Sequence, residues 1–314
     1  MKRWVRWIGM ALAIAGSIAF VGYVLSSLNI EDLRAHLSVR TVMAIILAML
    51  LYSLTVPISA YAWQRLLASL GHRQPFVPLN AILLTTQAGK YLPGNVGQHL
   101  GRIGLALAQG IPAPVLVASM AYEVLLLMLA GVLVGLACSA LSEPGLALLL
   151  QGRGAALATA IAVAVAGLGA IPLLGRYLPR LVARIARARD FAAEPLRAPG
   201  WTTPPLLIAI YTLAYLVIGA ATSLLAVGLF PEARLDFALL TAAFAIAWVV
   251  GFVTPGAPAG IGVREALLML MLGGSMGAAE TSLLILALRI VTTLGDMLCF
   301  AAGLAQMAWL RRKP

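Results

Sequence analysis

Lys90, Asn95, Gln98, His99 and Arg102 crowd one short stretch, GKYLPGNVGQHLGR, and Arg264 closes a second, VTPGAPAGIGVR. Cations and amide groups gathered around a chain break form an anion site, and a phosphate suits them, because the half-helix that starts after each break adds the positive end of its dipole. Three further ionisable residues, Glu123, Arg289 and Asp296, stand inside long apolar runs. A lone charge at that depth costs at least a few kcal/mol, which makes pairing of Glu123 with Arg289 the economical expectation. Asp296, two turns beyond Arg289 on the same helical face, is the alternative partner. These charges either lock two halves of the protein together, form a gate that breaks and reforms, or offer a proton site on Glu123. His99, with its near-neutral intrinsic pKa, is a second proton candidate, although a single His in such a motif is more simply a hydrogen-bond donor.

The elements that must position these residues are membrane helices. The 314-residue chain is 62% hydrophobic and 11% charged, with a mean hydropathy of +0.98, against about 25% charged for soluble globular chains. Its net charge of +11 does not point to nucleic acid, since the basic residues sit in short loops beside apolar runs. Cys138 and Cys299 lie in such runs and read as small buried hydrophobes. No His/Cys cluster has metal spacing, AGKY is no phosphate-binding loop, and GIGVRE is no dinucleotide fingerprint. No cofactor, no metal and no enzymatic activity is expected.

A span needs about 20 apolar residues. Six segments qualify, at about 7–28, 41–63, 114–140, 154–175, 203–229 and 280–309. The first is too long for a signal-peptide core and reads as an uncleaved span. Two more stretches, 78–110 and 236–274, are broken near their middles at Pro93-Gly94 and Pro255-Gly256. Proline removes a backbone donor and glycine ends a helix cheaply, which makes each stretch two half-helices of a re-entrant hairpin. The expected fold class is therefore an all-α polytopic membrane protein with six transmembrane helices and two re-entrant hairpins. With that topology, fourteen of the 22 Lys and Arg residues fall on one side and four on the other, the remaining four being Lys90, Arg102, Arg264 and Arg289 at membrane depth. The positive-inside rule then puts both termini in the cytoplasm, and composition suits a bacterial inner membrane. The basic loop from Arg176 to Arg197 either obeys that rule alone or lies on anionic headgroups.

The two broken stretches align without a gap: Pro93 with Pro255, Gly94 with Gly256, and Arg102 with Arg264. Each is preceded by two spans and followed by one that carries a charge, Glu123 or Arg289. The chain is thus read as one membrane domain, 1–314, with repeat one at about 7–140 and repeat two at about 154–309 joined by a periplasmic loop at about 141–153. Three crossings per half invert the second half, the 3+3 pattern of secondary transporters with a midplane site. Gly97 with Gly101, Gly131 with Gly135, and Gly256 with Gly260 are spaced for close helix packing.

KYLPGNVG with Arg102, and TPGAPAGIGVREALL, resemble the lysylphosphatidylglycerol synthase transmembrane family, the flippase-like domain of the multiple peptide resistance factors and related stand-alone membrane proteins. The resemblance covers nearly the whole chain. It implies movement of a lipid with a charged or polar headgroup between leaflets, with Lys90, Arg102, Arg264 and Glu265 on motif positions as site residues. Two departures stand out: the 314 residues hold no aminoacyl-transferring domain, so synthesis of a lysyl-lipid is not expected, and the second motif carries APA where a glycine-rich turn is the family pattern. The substrate expected is an anionic phospholipid or a polyprenyl-phosphate-type lipid, its headgroup in a midplane cationic cavity and its chains in the bilayer. The alternatives are a secondary transporter of a small soluble anion and a noncatalytic membrane partner of a glycosyltransferase or lipid-modifying enzyme.

Overall fold

The computed structural model describes residues 38–91, 97–150, 197–232, 236–254 and 260–312, with short pieces between 162 and 180. Outside these lie the span expected at 7–28, most of the one at 154–175, both Pro-Gly breaks (Pro93, Gly94, Pro255, Gly256), Asn95, and Arg184, Arg187 and Arg189 of the basic loop. Arg176, Arg180 and Arg197 of that loop are exposed.

All regular structure among the described residues is helical: α1 (Val39–Ser53), α2 (Thr55–Ser69), α3 (Phe76–Thr86), a 3-10 turn (Gln87–Tyr91), α4 (Gly97–Leu107), α5 (Ala113–Ala140), α6 (Glu143–Leu150), α7 (Thr203–Leu229), α8 (Phe237–Val253), α9 (Val263–Met276) and α10 (Ala278–Arg312). Hydrocarbon offers backbone groups no partner, which leaves the helix as the way for a single apolar segment to satisfy itself. Four helices are long and apolar enough to cross a membrane: the continuous pair α1–α2, Val39–Ser69, then α5, α7 and α10. They coincide with the spans expected at 41–63, 114–140, 203–229 and 280–309.

Between α1 and α2 the cause of the break is Pro57, which cannot donate to the carbonyl of Ser53 four residues back. Side chains serve the freed carbonyls: the Thr55 hydroxyl donates to Tyr52 O at 2.7 Å, and the Cys299 thiol approaches Ser53 O at 3.8 Å. The segment 141–153, read as a loop, contains α6. Its start is Ser142, whose hydroxyl accepts from Gly145 N at 3.3 Å, followed by Glu143 and Pro144 in the first turn, the residue types that suit a helix N-terminus.

Two buried clusters hold the bundle. One is centred on Trp63, Leu66, Leu67, Tyr122 and Tyr211, and the other on Leu225, Leu240, Leu284 and Val291; Trp248 packs against both. α8 lies along α5, α10 along α3, and α7 against α1. Small residues set these distances: a Cβ on Gly135 would stand 2.7 Å from Ile246 Cγ1, and one on Gly131 would be 2.5 Å from the Tyr215 hydroxyl. The Gly131/Gly135 pair is therefore a packing device.

Candidate functional site

The two broken stretches deliver their short helices to one place. α3, the 3-10 turn and α4 come from the first, and α8 and α9 from the second. They surround a cavity of about 190 Å³ that is also lined by α1, α2, α5, α7 and α10. Lys90, Gln98, His99, Arg102, Glu123, Arg264, Arg289 and Asp296 all border it. The space holds several waters or a small polar group. Gln98 Nε2 and His99 Nε2 lie 3.4 Å apart on its rim.

Three of the four cations are already matched. Arg102 gives both terminal nitrogens to Glu123, Nη1 to Oε1 at 2.8 Å and Nη2 to Oε2 at 2.6 Å, in the two-point geometry that makes Arg–carboxylate contacts strong. Its guanidinium lies 3.8 Å from the centre of the Trp63 ring, a cation–π contact that makes up for lost solvent. Arg102 is only 6% exposed. Lys90 donates to Asp296 Oδ1 at 2.6 Å and to the Tyr52 hydroxyl at 3.0 Å. Asp296 accepts in addition from Tyr52 at 3.0 Å and from Tyr91 at 2.6 Å, which satisfies a carboxylate that is 1% exposed.

Arg289 is paired with Glu265. Glu265, buried, also accepts from Gly262 N at 2.6 Å and so fastens the start of α9. That start requires glycine: Gly260 and Gly262 have φ of 70° and 85°, the left-handed region that side chains disfavour.

The expected pairing of Glu123 with Arg289 is thus corrected, and Asp296 does not take Arg289 either. These two charges instead meet the short helix that directly precedes their own, Glu123 on α5 with Arg102 on α4 and Arg289 on α10 with Glu265 on α9, whereas Asp296 on α10 reaches Lys90 of the first broken stretch. The reason is reach: the short helices carry their charges beside the long helix that follows them, so the nearer opposite charge is met first.

The polarity of the two contacts is exchanged. Arg264 occupies the motif position of Arg102, but the long helix facing it carries Arg289 where α5 carries Glu123. Among the described residues, Arg264 has no carboxylate within ion-pair distance. It lies over the Trp248 ring, 5.5 Å from its centre, with a buried Nε that no acceptor meets among the described residues. The backbone is pared away around it. A Cβ on Gly251 would be 2.7 Å from Arg264 Cγ, and one on Gly260 would be 2.6 Å from its Nε.

Sequence reasoning missed the aromatic share of the site: Tyr52, Trp63, Tyr91 and Trp248. Tyr91 directly follows Lys90, and Trp248 precedes the second break, yet an aromatic residue in an apolar helix carries no pattern that separates site from core.

Compared with known protein families, residues 7–299 match the model of the lysylphosphatidylglycerol synthase TM region. The chain belongs to that family of membrane domains. No curated protein matches it.

Proposed function

We propose that this membrane protein is a lipid translocase, moving a lipid with a phosphate-bearing anionic headgroup between leaflets through the cavity beside Arg264. One observation carries the reading. Four cations border the cavity, Glu123, Asp296 and Glu265 pair with three of them, and among the described residues Arg264 is left with no carboxylate partner. An uncompensated guanidinium at membrane depth is costly unless an anion joins it, and phosphate oxygens match its fork of donors. The polar residues carried by the cavity give the headgroup a path, while the chains remain in hydrocarbon.

The finer topology belongs to the same proposal: six crossings, two re-entrant hairpins, an inverted repeat, both termini cytoplasmic and a bacterial inner membrane. Its support is that each broken stretch supplies two short helices, and that each short helix after a break makes an ion pair to the next long helix, 21 residues on for Arg102–Glu123 and 24 for Glu265–Arg289. An inverted pair of halves around a midplane site is the usual plan of transporters driven without ATP. The ion pairs then serve as gates, Arg102–Glu123 in one half and Glu265–Arg289 in the other. We read the activity as transport and not as enzymatic conversion.

The test is native mass spectrometry with lipidomics on the parent and Arg264→Gln, alongside lipid movement in reconstituted vesicles. An anionic lipid retained by the parent, lost in the variant, and moved at least tenfold more slowly by it is the expected result. Bulk membrane lipid on both proteins, with water-soluble phosphate bound by the parent alone, would instead establish a small-anion transporter.

A further inference from the structure

A second cavity, of about 720 Å³, lies between α1, α3, α7 and α10 and is almost wholly apolar. It falls within the range of about 300–1,000 Å³ that holds small ligands. Its walls include Leu50, Leu54, Leu84, Leu298 and Ala302. Leu50, Leu54 and Leu298 are 48%, 51% and 40% exposed, so the groove opens sideways from the bundle. On helices of membrane-crossing length that direction faces hydrocarbon.

The groove and the charged cavity share walls. Tyr52 borders the cavity and the next residue, Ser53, the groove; Leu83 and Leu84 divide in the same way, as do Asp296 and Cys299 one turn apart. What separates them is the seam where α1 meets α10. There Gly295 allows close approach, a Cβ on it standing 2.6 Å from Tyr52 Cδ1, and the Tyr52 hydroxyl donates to Asp296. A polar chamber and an apolar groove on the two sides of one seam match the two ends of an amphiphile.

We infer that the groove holds a hydrocarbon chain of the lipid whose headgroup enters the charged cavity, with the Tyr52–Asp296 hydrogen bond as the latch of the seam between them. This rests on the translocase reading and departs from the expectation that the chains stay in bulk bilayer. The experiment places a photoreactive benzoylphenylalanine at Leu50, and separately at Leu270, an exposed position on α9, in vesicles of dioleoylphosphatidylglycerol and dioleoylphosphatidylethanolamine. The expected result is a lipid adduct at both positions, of which the one at Leu50 falls at least fivefold when Ala302→Trp fills the groove while the one at Leu270 is unchanged. The unchanged Leu270 yield also shows that the filled variant is folded. No lipid adduct at Leu50, a lipid adduct there indifferent to Ala302→Trp, or an adduct to residues 7–28 or to a second copy of the chain each overturns the inference. Because the adduct is scored without transport, its failure leaves the Arg264 reading standing, and a transport rate indifferent to Arg264→Gln leaves the groove result standing.

Discussion

Replacing Glu123 by Gln keeps the shape of the side chain and removes the charge that holds Arg102. The two hydrogen bonds at 2.8 and 2.6 Å lose their ionic character, and a guanidinium on a residue 6% exposed is left without a counter-charge. Breaking a buried pair from one side costs about 3–5 kcal/mol. The Gln carbonyl still accepts one bond and the indole still attracts the cation, so the low end, about 3 kcal/mol, is expected. Arg102→Met with Glu123→Leu removes both charges and leaves no orphan, and such replacements of whole buried pairs are often neutral or stabilising. The double variant should therefore lie within about 1 kcal/mol of the parent, about 2 kcal/mol more stable than the single variant. Equilibrium unfolding in mixed micelles titrated with a denaturing detergent measures all three proteins. If Glu123→Gln lies within about 0.5 kcal/mol of the parent, or if the double variant is as unstable as the single, the buried-pair reasoning fails. The folded double variant also divides the two roles open to the pair: parent-like lipid movement makes it a lock, and lost movement makes it part of the transport cycle.

Gly251→Ala places a methyl group 2.7 Å from Arg264 Cγ; the flexible side chain yields, and lipid movement should fall at least tenfold in a protein that still folds, whereas parent-like movement would show that the position of Arg264 is unimportant. Gly135→Val drives atoms into Ile246, 2.7 Å away, and should destabilise by about 1–3 kcal/mol, with Gly104→Ala, which meets nothing within 4 Å, as the neutral control in the same unfolding assay.

The long helices were legible because hydrocarbon demands length and apolarity, both of which are local properties: 203–229 coincides with α7, and 114–140 begins one residue inside α5. The short helices were legible for the same reason, through the proline and glycine that interrupt them. α6 was missed although Ser142, Glu143 and Pro144 formed a readable start, because an eight-residue helix between spans is too short to stand out from a loop. Membership of the cavity was legible from charge at depth, but the pairing was not. Glu123 and Arg289 looked like partners because their depths were similar, whereas the actual partners are chosen by which helix lies alongside. Glu265 was legible only through family resemblance, since its position one residue after Arg264 gives no hint that it faces Arg289.

The setting of Arg264 makes the cavity optically visible. Trp248 lies 5.5 Å from the guanidinium, stacks on Phe252 at 19° and meets Tyr215 edge-on at 80°, so its indole sits in a fixed frame beside a single charge whose field tunes its emission. A ligand that neutralises or shifts Arg264 changes that field directly, before any helix moves. Among the chain's six tryptophans, Trp63 stands in the same relation to Arg102, whose charge Glu123 already balances. With Trp4, Trp7, Trp201 and Trp309 replaced by Phe, the two indoles make a signal and an internal reference within one molecule, and the proposed occupancy of the site can be followed by fluorescence with no label attached.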